Sequence, residues 1–271
     1  MSCSDHPDKS RSVLILIKSK QALASLTLFS RINILSSLSL IRWRYNTSID
    51  AYFCCARVNL FDPQSDVCSN LALDHHVFQA CNDSNVDKVI FSSTACVYPT
   101  KLQDTIGSDY KLKEQDADPT NLDTFMSADI EYGWEKLMSE MQLNAFKKQY
   151  GLKGCPVRFV TAYGPRENET HAIIALIYKA LAKMDPYQIW GDGNQERDFT
   201  YVEDIVDGTI LSAEKITDGT PINLGTGQRY KMIDVVNLIF KIIGWKPQNF
   251  EFDTSKPVSY THLTLQTNRE V

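Results

Sequence analysis

The clearest signal for the fold is the run Val86-Asp-Lys-Val-Ile-Phe-Ser-Ser-Thr-Ala-Cys-Val-Tyr-Pro99. Its first six residues predict a short buried strand, and hydroxyl side chains follow where that strand ends. Helical patterns flank it, from Ser69 to Asp83 and from Ser127 to Tyr150. The strand predicted from Gly154 to Val160 follows the second helix. Strands that alternate with helices of this length predict an α/β fold with a parallel, helix-covered sheet.

The alternation extends in both directions from this core. Val13 to Ile17 predicts a further buried parallel strand, and Ala51 to Ala56 is a candidate for a compact strand. Helices are predicted beyond Pro165, at about 171–183, 205–215 and 232–243. Because ligands bind at the C-terminal ends of strands in parallel sheets, we expect the residues after the two central strands to line a ligand site.

The segment Tyr132-Gly-Trp-Glu-Lys136 lies inside the longer of the two flanking helices. Residues four apart share one helix face, so the Lys136 ammonium is expected to lower the pKa of the Tyr132 phenol. That would make Tyr132 a proton donor or acceptor near neutral pH. The same spacing also arises by chance in many helices.

The composition narrows the class of protein. A formal net charge of -5 argues against a general nucleic-acid binder. The seven cysteines are odd in number and show no CxxC spacing, which favours reduced thiols in a cytoplasmic protein over disulfides or a metal site. The apolar stretches near the N-terminus are too short or too interrupted to predict a membrane span.

Several motifs in order resemble the extended short-chain dehydrogenase/reductase family of NAD-dependent sugar-nucleotide epimerases and dehydratases. The resemblance runs from about Asp50 to Lys256, and it rests on five motifs: the strand end at Thr94, the pair Tyr132/Lys136, Arg158 to Pro165, Gly191-Asp-Gly-Asn-Gln-Glu-Arg-Asp-Phe199 and Asn223-Leu-Gly-Thr-Gly227. It implies a Rossmann-like, doubly wound parallel sheet with a smaller C-terminal substrate-binding lobe. In this chain the first βαβ unit is expected to be degraded.

The resemblance also implies domains. We expect a Rossmann-like NAD-binding domain at residues 51–165 and a substrate-binding lobe at 166–257. Residues 1–50 are expected to be an atypical segment, either from a misread gene start or a frame error or because this family member no longer binds NAD well. Residues 258–271 are expected to be a non-native tail.

The resemblance assigns catalytic and cofactor roles. Tyr132 would deprotonate a sugar hydroxyl, and Lys136 would hold the nicotinamide ribose of NAD and depress the pKa of Tyr132. Thr94 would hydrogen-bond the reacting sugar oxygen. Ser92 and Ser93, together with Tyr132 and Lys136, are expected to contact the cofactor.

The resemblance assigns substrate contacts as well. Arg197 would pair with the diphosphate of a nucleotide sugar, a task suited to a forked guanidinium. Alternatively, Arg197 forms a surface ion pair with Asp198. Thr161 and Gln195 are expected to bind substrate, although Thr161 replaces an Asn often found in the family. A homodimer is implied.

Cys96 discriminates between reactions of the family. Ala95 and Cys96 stand where dehydratases carry an acidic residue, so 4,6-dehydration is disfavoured. Simple 4-epimerisation needs only Tyr132 and Thr94, and it is the preferred hypothesis for the reaction. The run from Thr94 to Pro99 also resembles GDP-mannose 3,5-epimerases, in which a Cys at this position is one member of an acid/base pair. The other member in those enzymes is a Lys, which has no obvious counterpart in this chain. His171 lies in the comparable region. A reductase of the same fold is a third alternative.

The largest departure from the family concerns NAD. All twelve glycines lie at or beyond Gly107, so the Gly-rich turn that cradles the pyrophosphate is absent after Val13–Ile17. Lys18 and Lys20 cannot replace that geometry. NAD binding by this chain is therefore open, and a catalytically impaired family remnant is the competing hypothesis.

Overall fold

The computed structural model describes the backbone of three N-terminal strands and most of the chain beyond residue 64. The described ranges are 13–16, 41–44, 50–54, 65–103, 110–119, 128, 130–167, 169 and 171–255. The expected tail at 258–271, and the residues that follow Leu16 where a Gly-rich turn would stand, lie outside the described residues. In the described part, no helix is both long and apolar enough to cross a membrane.

Twelve strands and six helices are described, besides short 3₁₀ and π turns. In chain order the strands are β1 (Val13–Leu16), β2 (Ile41–Arg44), β3 (Asp50–Cys54), β4 (Val89–Thr94), β5 (Gly154–Phe159), β6 (Thr161–Tyr163), β7 (Tyr187–Trp190), β8 (Glu196–Arg197), β9 (Phe199–Tyr201), β10 (Ile222–Leu224), β11 (Tyr230–Lys231) and β12 (Phe250–Asp253). The helices are α1 (Asn70–Asp83), α2 (Thr100–Gln103), α3 (Ile130–Tyr150), α4 (Ala172–Leu181), α5 (Val202–Lys215) and α6 (Met232–Ile243). The five predicted helices are confirmed, with ends that differ by three residues at most.

The main sheet has the strand order β10-β5-β4-β1-β3-β2. Its half formed by β4, β5 and β10 is parallel, as predicted, and Thr94 pairs with Phe159 where β4 and β5 end. This register places the hydroxyl-rich end of β4 beside the start of the Thr161–Pro165 motif. The α/β fold expected from the sequence is confirmed.

The prediction that Val13–Ile17 is a parallel strand is wrong. The strand forms at Val13–Leu16, but it runs antiparallel to β4, with Ile15 opposite Phe91 and Leu16 opposite Ile90. A short apolar run carries no signal of direction, because its alternating side chains fit either orientation. As a consequence, β1 ends at the edge of the sheet where β4 begins.

Helices cover both faces of the parallel half. On one face α1 and α3 pack against β4 through edge-to-face contacts of Phe78 with Phe91 and Phe146. On the other face Ile205 of α5 joins a buried cluster with Ile90 and Val157. The residues on either side of β4 are therefore buried, and only the strand end is left to form a site.

A smaller lobe follows β6. Helices α4 and α6 pack together with the parallel pair β7 and β12 around Tyr187 and Phe240, whose rings lie 4.8 Å apart. Helix α6 ends at Gly244, which takes the left-handed conformation with φ of 71°. This is the Gly-terminated helix that the sequence predicts.

Candidate active site

Tyr132, Thr94 and Lys136 come together where β4 ends. Tyr132 lies half-buried in the first turn of α3, close enough to the Thr94 side chain for Thr94 to lower the pKa of its phenol. The charge of Lys136, one turn along the helix, also acts on the phenol. The structure thus brings together the three residues to which the resemblance gives the proton-transfer role.

The pKa of Tyr132 is shifted in the direction opposite to the one expected. Burial is the largest cause and raises the pKa of the phenol to about 12, and negative charge on Cys96 or Glu135 raises it further. Lys136 and Thr94 lower it, but not enough to offset burial. In the protein alone, Tyr132 is therefore a neutral proton donor at pH 7. Additional positive charge is needed to make it a base.

Gly133 allows α3 to approach the strand end. A Cβ at this position would lie 2.3 Å from the carbonyl oxygen of Cys96, closer than any side chain tolerates. Cys96 belongs to the 3₁₀ turn at residues 95–97, whose first residue follows Thr94. The Thr94 hydroxyl accepts a hydrogen bond from the Cys96 backbone N–H at 3.2 Å. Gly133 thus fixes the distance between the Tyr132 helix and the turn that carries Cys96.

Lys136 is fully buried, and acidic groups that the sequence reading missed surround it. Its Nζ lies 3.7 Å from Glu135 Oε1 and 4.0 Å from Asp74 Oδ2, and 4.8 Å from the centre of the Phe91 ring. Both carboxyl groups are buried. The sequence did carry a signal for these two carboxyl groups, because Glu135 is adjacent to Lys136 and Asp74 lies on the buried side of an amphipathic helix.

Ser92 and Ser93 occupy different environments, since consecutive strand residues point to opposite faces. Both are buried. The hydroxyl of Ser93 donates to Glu140 Oε1 at 2.5 Å. Glu140 in turn pairs with Arg158 through two hydrogen bonds, of 3.0 Å from Nε and 2.7 Å from Nη2. Ser93 therefore ties β4 to α3, whereas Ser92 shares the alternation of Thr94 and stays a candidate for a cofactor contact.

The predicted substrate-binding residues gather around a second set of strands. Thr161 of β6 pairs with Phe199 of β9, and Arg197 of β8 pairs with Tyr230 of β11. The Arg197 and Thr161 side chains are both half-buried. Gln195 is buried; its amide nitrogen donates to the Trp190 carbonyl at 2.8 Å, and its side-chain oxygen has no partner among the described residues.

Asp198 stabilises this region through hydrogen bonds of its buried carboxylate. One carboxylate oxygen accepts hydrogen bonds from the Thr226 backbone N–H at 3.0 Å and from the Thr226 hydroxyl at 2.6 Å. The other accepts from the Gly227 N–H at 2.8 Å. Asp198 is almost fully buried and holds the Asn223–Gly227 turn, so it does not serve as the partner of a surface ion pair.

Val160 joins the two halves of the site. It packs against the cluster that contains Ala95 and Val97, and its side chain would lie 3.1 Å from a Cβ added at Gly225. Its backbone N–H also donates to the Leu224 carbonyl. The turn after β4 and the turn held by Asp198 are thus neighbours on the same edge of the sheet.

The described residues fit one end of an NAD molecule and not the other. Half-buried Tyr132, with Thr94 and Lys136 buried behind it, provides hydroxyl and ammonium groups at the end of β4, which suits a nicotinamide ribose. The pyrophosphate cradle requires a strand that ends beside β4, but β1 ends at the opposite edge. In the part of the chain that is described, no group of three or more His, Cys, Asp or Glu side chains could hold a metal ion.

The family follows from comparison with known proteins. The model of the NAD dependent epimerase/dehydratase family matches residues 15–225. The chain belongs to this family. Its motifs at Thr94, Tyr132, Lys136 and Arg197 all lie within the matched range.

Individual relatives are nucleotide-sugar enzymes. The chain is 32% identical over 212 residues to an uncharacterized UDP-glucose epimerase, YtcB, of Bacillus subtilis, covering 73% of the chain and 62% of the relative. It is 29% identical over 175 residues to GDP-mannose 3,5-epimerase 1 of Oryza sativa subsp. indica, covering 63% and 44%. A crystal structure of UDP-glucuronic acid 4-epimerase from Bacillus cereus in complex with NAD is 28% identical, with a TM-score of 0.59, and covers 72% and 60%. The chain thus spans less than two thirds of the length of each.

Proposed function

We propose that this chain carries the proton-transfer machinery of an NAD-dependent nucleotide-sugar epimerase, with 4-epimerisation as the preferred reaction. The observation that carries the proposal is the proximity of Tyr132 to both Thr94 and buried Lys136 at the end of β4. Family membership supports it. The chain's own activity, substrate and partners belong to the proposal.

Each side chain has a distinct role in this reaction. Tyr132 removes the proton of the sugar hydroxyl at its Oη, and later returns a proton to the same oxygen. Thr94 holds that oxygen by a hydrogen bond, and Lys136 stabilises the phenolate by its charge. NAD, when bound, supplies the hydride acceptor and a positively charged ring. That extra positive charge is of the sign that the high pKa of Tyr132 requires.

Arg197, Thr161 and Gln195 are proposed as the substrate side of the site. Arg197 suits a diphosphate because its planar guanidinium binds two oxygens at once. The buried side-chain oxygen of Gln195 has no partner among the described residues, so a sugar or base hydroxyl or N–H that reached it would satisfy it. The Asp198-held turn, next to Val160, keeps these residues on the edge where Tyr132 lies.

A homodimer is part of the proposal. Trp134, Met138 and Met141 follow one another at helical spacing on α3, and each is exposed by 41% or more. Large apolar side chains in such a row are expected to be covered by another surface. Light scattering of the native chain and of Met138→Lys tests this: the native chain should be dimeric and the variant monomeric.

Cys96 favours a second candidate, 3,5-epimerisation. Its thiol is half-buried and close enough for its charge to act on Tyr132. Oxidation at C4 of a hexose would acidify the hydrogens at C3 and C5, and a thiolate base could then exchange them with solvent. The similarity to a GDP-mannose 3,5-epimerase supports this candidate. Turnover in deuterated water separates the two, because only 3,5-epimerisation places deuterium at C3 and C5.

The main test is turnover of a panel of UDP- and GDP-hexoses in the presence of added NAD. Tyr132→Phe should lower the rate by about 10²-fold or more. Tyr178→Phe is the matched control, since Tyr178 is an exposed tyrosine of α4. Net consumption of NAD(P)H would indicate a reductase instead.

Binding measurements decide whether the chain is active at all. Calorimetry with NAD should give a binding isotherm if the chain is an epimerase. Absence of NAD binding together with absence of turnover would identify a catalytically impaired family remnant, the competing hypothesis that the lack of glycine after Val13–Ile17 in the sequence suggests.

A further inference from the structure

The interface between α1 and α3 contains a pair of buried carboxyl groups beside Lys136. Asp74 of α1 is 1% exposed and Glu135 of α3 is fully buried. Both face a single buried ammonium, that of Lys136, and one oxygen of Glu135 has no partner among the described residues. Two ionised carboxylates here would leave a buried negative charge without a partner, which is costly. The pair, called here the Asp74–Glu135 pair, therefore holds one proton between its members.

The surrounding contacts place that proton on Glu135. The Ser139 hydroxyl lies 2.7 Å from Asp74 Oδ2 and 3.3 Å from Glu135 Oε1, so its hydrogen is directed to Asp74. Glu135 Oε2 is buried and has no partner among the described residues. Burial and the nearby Asp74 carboxyl raise the pKa of Glu135 to about 8, whereas Lys136 and Ser139 lower it. Geometry and charge thus agree that Asp74 is the anion.

Lys136 interacts with this pair through space. Its Nζ is 3.7 Å from Glu135 Oε1 and 4.0 Å from Asp74 Oδ2, both too far for a hydrogen bond. With Glu135 neutral, the buried cluster contains one anion and one cation and is balanced. Ionisation of Glu135 would add a second negative charge beside Lys136.

The same carboxyl acts on Tyr132. Ionised Glu135 raises the pKa of the Tyr132 phenol, and Lys136 lowers it. The two charges therefore oppose each other at the proton-transferring oxygen. The protonation state of Glu135 determines how much of the Lys136 charge is effective at Tyr132.

We propose that the Asp74–Glu135 pair is a positioning and tuning element that keeps Glu135 uncharged at neutral pH. The charge of Lys136 is then available to act on Tyr132. When Glu135 loses its proton in alkaline solution, efficient proton transfer by Tyr132 ends. The inference rests on the proposed function and specifies the regulation of the same site. The ionisable groups that act on Glu135 are Asp74 from α1 and Lys136 from α3. Glu135 in turn acts on Tyr132, as does Cys96 from the turn after β4, and β4 itself contributes no ionisable side chain.

Two substitutions with opposite expected effects test the proposal. Glu135→Gln keeps an amide in place of the protonated carboxyl and cannot ionise, so turnover at pH 7 should stay within about twofold of native and the alkaline limb near pH 8 should move up by about one unit or more. Asp74→Asn removes the anion that holds the proton, so the limb should move to lower pH. Glu131→Gln, an exposed carboxyl one residue from Tyr132, should leave the profile unchanged.

A readout without turnover separates failure of this inference from failure of the proposed function. The carboxyl carbon of Glu135, assigned in ¹³C NMR spectra by its loss in Glu135→Gln, should titrate near pH 8 in the native chain. Phenolate formation by Tyr132, taken as the ultraviolet difference from Tyr132→Phe, should shift to lower pH in Glu135→Gln. An ordinary acidic titration of Glu135, or an unchanged phenolate titration in Glu135→Gln, overturns the inference whether or not the chain turns over a sugar.

Discussion

Replacement of Arg158 by Met should destabilise the protein more than any surface substitution. The guanidinium is 1% exposed, and beside its two bonds to Glu140 it donates to the Tyr98 hydroxyl at 3.1 Å and to the Glu114 carbonyl at 2.9 Å. Burial lowers the pKa of Arg158, but Glu140 and Tyr98 outweigh burial and the net shift is upward. Arg158→Met would leave Glu140 ionised and unpaired in the interior, which costs about 3–5 kcal/mol.

Urea unfolding followed by circular dichroism measures this loss. Glu140→Gln should cost a similar amount, because it strands the arginine charge. The double substitution Arg158→Met with Glu140→Leu should be less destabilising than the sum of the single changes, since no unpaired charge remains. A loss below about 1 kcal/mol for Arg158→Met would refute the reasoning, and strict additivity would show that the two residues do not stabilise each other.

Three further outcomes are expected. Gly133→Ala should cost about 1–3 kcal/mol of unfolding free energy, because the new Cβ meets the Cys96 carbonyl, and it should also lower turnover; unchanged unfolding and turnover would contradict this close approach. Native Glu135 binds its proton more tightly than Glu135 in the unfolded chain does. The free energy of unfolding should therefore fall as pH rises from about 4.5 towards 8, by at most about 1.4 kcal/mol per pH unit. Urea titrations at several pH values should show a flatter slope for Glu135→Gln. Asp198→Asn keeps one acceptor oxygen in place of two, so it should raise KM for the nucleotide sugar more than it lowers kcat; the reverse pattern would count against a substrate role for the turn.

The helices and the parallel core were predictable because their signals are local. Apolar spacing marked α1, and Gly244 marked the end of α6. The order of motifs also led to Thr94, Tyr132 and Lys136, which the structure brings together. The direction of β1 was not predictable, since four apolar residues carry no information about which neighbour they join.

The pKa shifts inside the site could not be predicted from the sequence. The spacing of Tyr132 and Lys136 correctly indicates that the ammonium lowers the pKa of the phenol, but the cost of burial depends on all the elements packed around it. The proximity of Asp74 to Glu135 likewise requires two helices to meet across 61 residues of sequence. Strand alternation alone, however, could have shown that Ser93 and Thr94 face opposite sides of β4.

The most direct test of the central claim is the absorbance of reduced nicotinamide in a single turnover. Protein saturated with NAD is mixed with the nucleotide hexose that the panel identifies, and the absorbance is followed with time. Transfer of a sugar proton to Tyr132 coupled to reversible oxidation predicts a rise that decays to the starting value as the epimer forms, and a flat trace for Tyr132→Phe with substrate still bound. An equal rise in Tyr132→Phe would contradict the account.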